Sequence, residues 1–246
     1  MVILGKKVLR PGGRQLTHKM LQALNITPDD DIVEFAPGLG YTARLTCKQN
    51  PHSYTAVELN EAAAAIVRKN VANIYPEIKI IIGSAASTSL PGACATKVYG
   101  EAMLTMGDTR AKQEIINEAS RILKPGGLYA IHEMGLRPDN LDQETKQQIY
   151  KDLSHNVKVN ARPLTRGEWT TLLQNAGFEI QTTIQNDMLL LEPRRMINDE
   201  GICGFIKILW RMLLNKEARK RLINMKRAFK KHAPNINAIT IIARKK

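Results

Sequence analysis

Two carboxylates bracket a pair of glycines early in the chain: Glu34, then Gly38 and Gly40, then Glu58. Glycine tolerates backbone conformations closed to other residues, so a turn built on Gly38 and Gly40 lets a ligand come close to the main chain. A helix that starts just after such a turn presents N–H groups with no partner inside the helix. Three further side chains have the chemistry to move a proton: His132 and Glu133 at a strand end, and His18 in a helix. Strand side chains alternate, so only one of His132 and Glu133 points to a given face. Cys47, Cys94 and Cys203 stand far apart with no C-x-x-C pair, which argues against a disulfide framework and a structural zinc site, and no metal is expected.

The elements that position these residues follow from hydrophobic periodicity. The turn Pro11-Gly12-Gly13 precedes a helix with Leu16, Met20, Leu21 and Leu24 on one side. Strands are predicted at 32–36, 53–58 and 78–82, with helices near 42–48 and 61–73 between them. A second half continues with a strand at 97–102, a helix over 109–123, a Lys124-Pro-Gly-Gly127 turn and a strand at 128–133. Residues 134–164 read as an insertion with a polar helix near 143–153. Thr165 and Glu168 then form a capping-box pattern ahead of Trp169, and Gly177 is placed to end that helix. A strand from Phe178 to Leu191, with a bend, follows. Strand and helix alternate throughout, which predicts a parallel α/β sheet in one domain.

The formal net charge of +13 is unevenly placed. Residues 194–246 hold 15 Lys and Arg against 3 acids, net +12, so the preceding 193 residues carry only +1. The first part of this segment, 202–214, is apolar almost all round, and Ala218, Leu222, Met225 and Phe229 mark one face of a basic helix after it. These helices are expected to form a lid, an oligomer contact giving a homodimer, or an anionic membrane surface through 202–231. No stretch reaches the roughly 18 apolar residues of a membrane span. The start lacks a secretory pattern, so a cytoplasmic location is expected.

Two nucleotide readings compete for the glycine turn. Gly38-Leu-Gly40-Tyr-Thr-Ala43, with Glu58 twenty residues after Gly38, matches the G-x-G-x-x-G/A dinucleotide fingerprint of NAD(P)-dependent oxidoreductases. Over nearly its whole length, however, the chain resembles the class I S-adenosylmethionine-dependent methyltransferases. The resemblance rests on Glu34-Phe-Ala36-Pro-Gly38-Leu-Gly40, on Leu123-Lys-Pro-Gly-Gly127, and on the apolar run that ends the chain. It implies a Rossmann-like, seven-stranded, mostly parallel sheet with an antiparallel last strand, helices on both faces and a helical insertion before that strand. The single domain 1–246 then divides into a donor-binding core (14–133), the insertion 134–164 and a basic helical, lid-like insertion (194–234).

The resemblance also implies roles. S-adenosyl-L-methionine is the cofactor. Glu34 and the backbone around Ala36, Gly38 and Gly40 hold its amino-acid end. Glu58 takes the ribose hydroxyls and Leu59 packs beside the adenine. Gly83, Ser84 and Ala85 occupy the adenine-amino position, with Ser84 where an Asp is usual, and Glu101 and Ala102 lie under the methionine portion. Ala36 departs from the usual glycine and adds a methyl group there. The sequence after the fourth strand, Glu101-Ala-Met-Leu-Thr105, lacks the Asn/Asp-Pro-Pro-Tyr/Phe motif of base-amino methyltransferases, so nucleic acid is not the expected partner. The expected acceptor is a small, hydrophobic molecule, with Met103, Met106 and Met134 available to line its pocket. A non-catalytic S-adenosylmethionine-binding protein is a further alternative.

Overall fold

The computed structural model describes residues 10–157, 160–188 and 215–246. In chain order the first half holds α1 (Gly13–Leu24), β1 (Asp31–Phe35), α2 (Tyr41–Cys47), β2 (Ser53–Glu58), α3 (Glu61–Val71) and β3 (Lys79–Ile82). The second holds β4 (Ala95–Glu101), a 3-10 turn (Leu104–Met106), α4 (Thr109–Ile122), β5 (Leu123–Leu136), α5 (Gln143–Val157), β6 (Leu164–Thr165) and α6 (Arg166–Asn175). β7 (Phe178–Asp187), α7 (Lys216–Lys231) and β8 (Ile236–Lys245) complete it.

One sheet runs β3-β2-β1-β4-β5-β8-β7, with the two-residue β6 paired to β5 beside this path. Strands β1 to β5 are parallel, and β8 is antiparallel to both β5 and β7. Alternation along the strands splits the core in two. Val33, Val98, Tyr129 and Ile131 pack under α4 and α6, while Ile32, Tyr99 and Ala130 pack under α1, α2 and α3. Leu16, Met20, Leu21 and Leu24 are the buried stripe of α1, at the helical spacing seen in the sequence.

Several elements differ from the periodicity reading. The Lys124-Pro-Gly-Gly127 segment belongs to β5, because Leu123 pairs with Ala95 across a register shift before Leu128 pairs with Lys97. Gly127 suits that close passage: a Cβ there would stand 2.9 Å from the Thr96 carbonyl oxygen. β5 also continues to Leu136, so the first residues of the expected insertion are strand. The expected bend in β7 is a register shift between Ile180 and Thr182. The capping box of α6 forms as its pattern predicts, with Thr165 and Glu168 bonding reciprocally. The apolar stretch 202–214, Cys203 and the expected strand end at Leu191 lie outside the described residues. Met225 and Phe229 of α7 are buried against Met134, Leu136, Ile149 and Leu153. Among the described residues, no helix is long and apolar enough to cross a membrane.

Candidate functional site

The parallel register brings the candidate residues together at one edge of the sheet. Phe35 pairs with Val57 and Gly100, Glu58 with Ile82, and Glu101 with His132. Ser84, Glu58, Ala36, Glu101 and His132 therefore stand in sequence along the carboxyl ends of β3, β2, β1, β4 and β5, where ligands bind in open α/β sheets.

The turn after β1 forms the middle of this edge. Ala36 donates its N–H to the Val57 carbonyl at 2.9 Å and takes φ +51°. That left-handed conformation costs an alanine about 1–2 kcal/mol, which is the physical meaning of the departure from glycine. Gly40 (φ +77°) caps α2 and donates to the Pro37 carbonyl at 2.9 Å. Gly38 (φ +60°) is open: a Cβ there would meet nothing within 4 Å. Asn70 steadies the turn by donating to the Leu39 carbonyl at 3.0 Å.

Glu34 lies beneath the turn. Its carboxylate is buried and accepts hydrogen bonds from the Tyr54 and Tyr99 hydroxyls, the latter at 2.7 Å, and burial pushes its pKa up to about 7. Sequence reasoning put this carboxylate on the ligand; the structure engages it with two phenols from the neighbouring strands. Glu58 accepts the Asn60 N–H at 3.0 Å, and its neighbour Leu59 is 75% exposed, a large apolar side chain held out beside the edge. Gly83 donates to the Glu58 carbonyl at 3.1 Å. Ser84 is exposed and its hydroxyl accepts the Ala86 N–H, while Ala85 packs partly against the core.

A charged network fills the other half of the edge. The buried Glu101 carboxylate accepts from Arg10 and, at 2.9 Å, from the Thr42 hydroxyl, and its second oxygen lies 3.1 Å from His132 Nδ1. Arg10 also reaches the hydroxyls of Thr17 (3.3 Å) and Thr42 and lies over the Tyr41 ring, as Arg14 does at 4.8 Å. His132 is fully buried and its Nε2–H donates to the Pro11 carbonyl, which can only accept. Burial and the Arg10 charge push the imidazole down to about 4, which holds the ring neutral beside the Arg10–Glu101 pair. Ala102, beside it, takes φ +54° and donates to the His132 carbonyl at 2.7 Å.

The remaining proton-transfer candidates have structural partners. Glu133 is buried on the opposite face and accepts the N–H groups of Met103, Leu104 and Thr105 at 2.8–3.0 Å and the Thr105 hydroxyl at 2.6 Å. Burial raises its pKa. It holds the loop after β4 in place. His18 is exposed, with Nε2 3.4 Å from the Tyr41 hydroxyl. Of the three methionines, Met134 is buried in the core beneath α5 and α7, Met103 is half-buried and Met106 is exposed. Sequence reasoning missed Arg10, Thr42 and Tyr41; the one signal was the basic Arg10 ahead of the Pro-Gly-Gly turn.

The strand order, the glycine turn and the acids at the strand ends define a nucleotide-cofactor-binding α/β protein. A family model described as a methyltransferase domain matches residues 32–127. An uncharacterised protein of Haemophilus influenzae is 32% identical over 244 residues, covering 98% of this chain and 95% of that one. A probable S-adenosylmethionine-dependent methyltransferase of Mycolicibacterium smegmatis is 27% identical over 154 residues, 63% of this chain and 54% of its own length. A ribosomal RNA small subunit methyltransferase A of Chlorobium chlorochromatii is 23% identical over 86% of this chain and 76% of its own. Among solved structures, the MccD protein superposes with a TM-score of 0.72 at 16% identity, over 96% of this chain and 99% of that one. Residues 32–127 match a methyltransferase domain and the chain has the fold of the class I S-adenosylmethionine-dependent methyltransferases, with S-adenosyl-L-methionine as the cofactor.

Proposed function

We propose that the chain transfers the methyl group of S-adenosylmethionine to a small, hydrophobic acceptor. The observation that carries the donor site is the pairing, along one edge, of an open glycine turn with opposite charges and an exposed apolar side chain. The residues fit this donor. Gly38 leaves room for a ligand against the backbone, Glu58 stands ready for ribose hydroxyls, and Leu59, 75% exposed, offers an apolar surface to a flat base. Arg10 and Glu101 together match the zwitterionic amino-acid end, carboxylate to guanidinium and ammonium to carboxylate. Glu34 then supports the turn from below through Tyr54 and Tyr99.

The bound sulfonium supplies an activated methyl group to an in-line nucleophile. What the chain's residues contribute is position and the exclusion of water. His132 and Glu133 both have internal partners, which favours an acceptor nucleophile that needs no side-chain base from this pair. The loop that Glu133 holds presents Met106 to solvent next to the edge, which suits an apolar acceptor. The ribosomal RNA relative favours a nucleic-acid acceptor instead. Against it stands the segment Glu101–Thr105, which carries no Asn/Asp-Pro-Pro-Tyr/Phe motif.

Calorimetric titration tests the donor site: S-adenosylhomocysteine binds and NAD(P) does not, and the reverse result refutes the reading. Turnover of labelled donor with small apolar acceptors, against structured RNA, tests the acceptor. Donor binding without transfer to any acceptor would identify a binding protein.

A further inference from the structure

The described side chains of helix α7 fall on two faces. Met225, Ala228 and Phe229 are buried, and the first and last of these pack against α5 and β5 residues. At 100° per residue, Lys216, Arg219, Lys220, Lys226, Arg227 and Lys230 fall within an arc of about 120° on the opposite side. Five of these six are exposed, and Arg219 is half-buried. Ile223, 48% exposed, sits at the centre of that arc, and the one acid of the helix, Glu217, lies to its side. The helix has 16 residues, so the cationic stripe is about 24 Å long.

The place of the stripe is fixed. His232 and Lys231 both bind the Asp152 carboxylate of α5 at 2.7 Å, and Arg137 donates to the Pro234 carbonyl at 3.0 Å. The chain then enters β8 at Ile236, opposite Leu136, the last residue of β5. The stripe therefore lies at the same end of the sheet as the glycine turn and the Glu101 network.

We infer that α7 docks the protein on an anionic lipid surface, with phospholipid headgroups as its partner. A straight row of cations around one aliphatic side chain matches a plane of negative headgroups. The described apolar residues Met225, Ala228 and Phe229 are already used inside the protein, so the contact is electrostatic, with Ile223 the described aliphatic side chain that enters the headgroup layer. The described outer face carries no aromatic ring on which unpaired bases could stack, which disfavours single-stranded nucleic acid. Docking at this end turns the donor edge toward the membrane, where an apolar acceptor dissolves; that consequence rests on the proposed acceptor class, whereas the docking does not.

Co-sedimentation of the full chain with vesicles tests this. Vesicles of phosphatidylcholine mixed with phosphatidylglycerol are expected to bind the protein at low salt and release it at high salt, and phosphatidylcholine alone to leave it in solution. Each cation removed lowers partitioning about fivefold, so Lys220→Gln with Arg227→Gln weakens it about 25-fold. Arg227→Lys keeps the charge and binds as the parent does. Because these side chains face solvent and neither is among the residues placed on the donor, unfolding midpoint and S-adenosylhomocysteine affinity stay unchanged in the double variant and in Arg227→Lys. Absence of binding to anionic vesicles, or binding that the double variant leaves intact, overturns the inference. Stripe-dependent binding of an RNA duplex without vesicle binding overturns it in favour of nucleic acid.

Discussion

The donor edge and helix α7 use charge in opposite ways. At the edge, Arg10, Glu101 and His132 are buried together and satisfy one another. Along the stripe of α7, five cations face solvent and Arg219 is half-buried, and the helix is held by apolar contacts and by the Asp152 pairs at its carboxyl end. Charge that is buried must be matched by the chain itself, so it organises structure and presents a defined pattern to a ligand. Charge left in water costs the fold little and stays available to a partner.

This contrast is broken most sharply at Glu101. Glu101→Ala leaves the Arg10 guanidinium buried without its carboxylate and removes a partner of Thr42 and His132. A loss of about 3–5 kcal/mol in unfolding free energy is expected, read by urea denaturation. Glu101→Gln keeps an acceptor for Thr42 and is expected to lose less. Changing Lys220 to Gln on α7 shifts stability by no more than about 0.5 kcal/mol. Equal effects at the two sites would erase the distinction.

Glu34 sharpens it through pH. Its folded pKa, about 7, lies above the ordinary value of 4.5 because burial disfavours the ionised form. Between those two values the native state holds more protons than the unfolded one, so stability is full below about pH 4.5 and falls as pH rises toward 7, by on the order of 3 kcal/mol. Glu34→Gln is neutral throughout and is expected to lose that slope. Unfolding midpoints of both proteins from pH 5 to pH 8 measure it; parallel curves would show that Glu34 is ionised in the folded protein.

Glu58 carries the proposed ribose contact of the edge. Glu58→Ala is expected to weaken S-adenosylhomocysteine binding by about 1–3 kcal/mol while the fold persists, since the carboxylate has one backbone partner, the Asn60 N–H. Titration calorimetry reads the change. Unchanged affinity would remove Glu58 from the site.

What the sequence made legible was local. The turn after β1, the acid ending β2, the capping box of α6 and the two faces of α7 each depend on residues within a few positions of one another. The Glu101 network joins residues 91 and 121 positions apart, through Arg10 to Glu101 and Pro11 to His132, and no periodicity encodes such a meeting. Glu34 reads as a ligand contact from its place in the turn motif; its bonds to Tyr54 and Tyr99, from β2 and β4, are a second non-local meeting that no local pattern encodes. The early start of β5 was hidden because Pro125 and two glycines usually end regular structure, whereas here a bulge opposite 95–97 absorbs them.

The smallest effect belongs to Ala36. Its left-handed backbone is strained for alanine, and Ala36→Gly removes that strain while making the unfolded chain more flexible. The first effect exceeds the second, so a net stabilisation of about 0.5 kcal/mol is expected. The methyl group stands at the turn proposed to receive the donor's amino-acid end, so the same change tests whether it crowds the ligand. If affinity for S-adenosylhomocysteine rises along with stability, the methyl group faces the bound ligand. If stability alone rises, the strain is a backbone matter, and the charges of Arg10 and Glu101 set affinity at that end of the site.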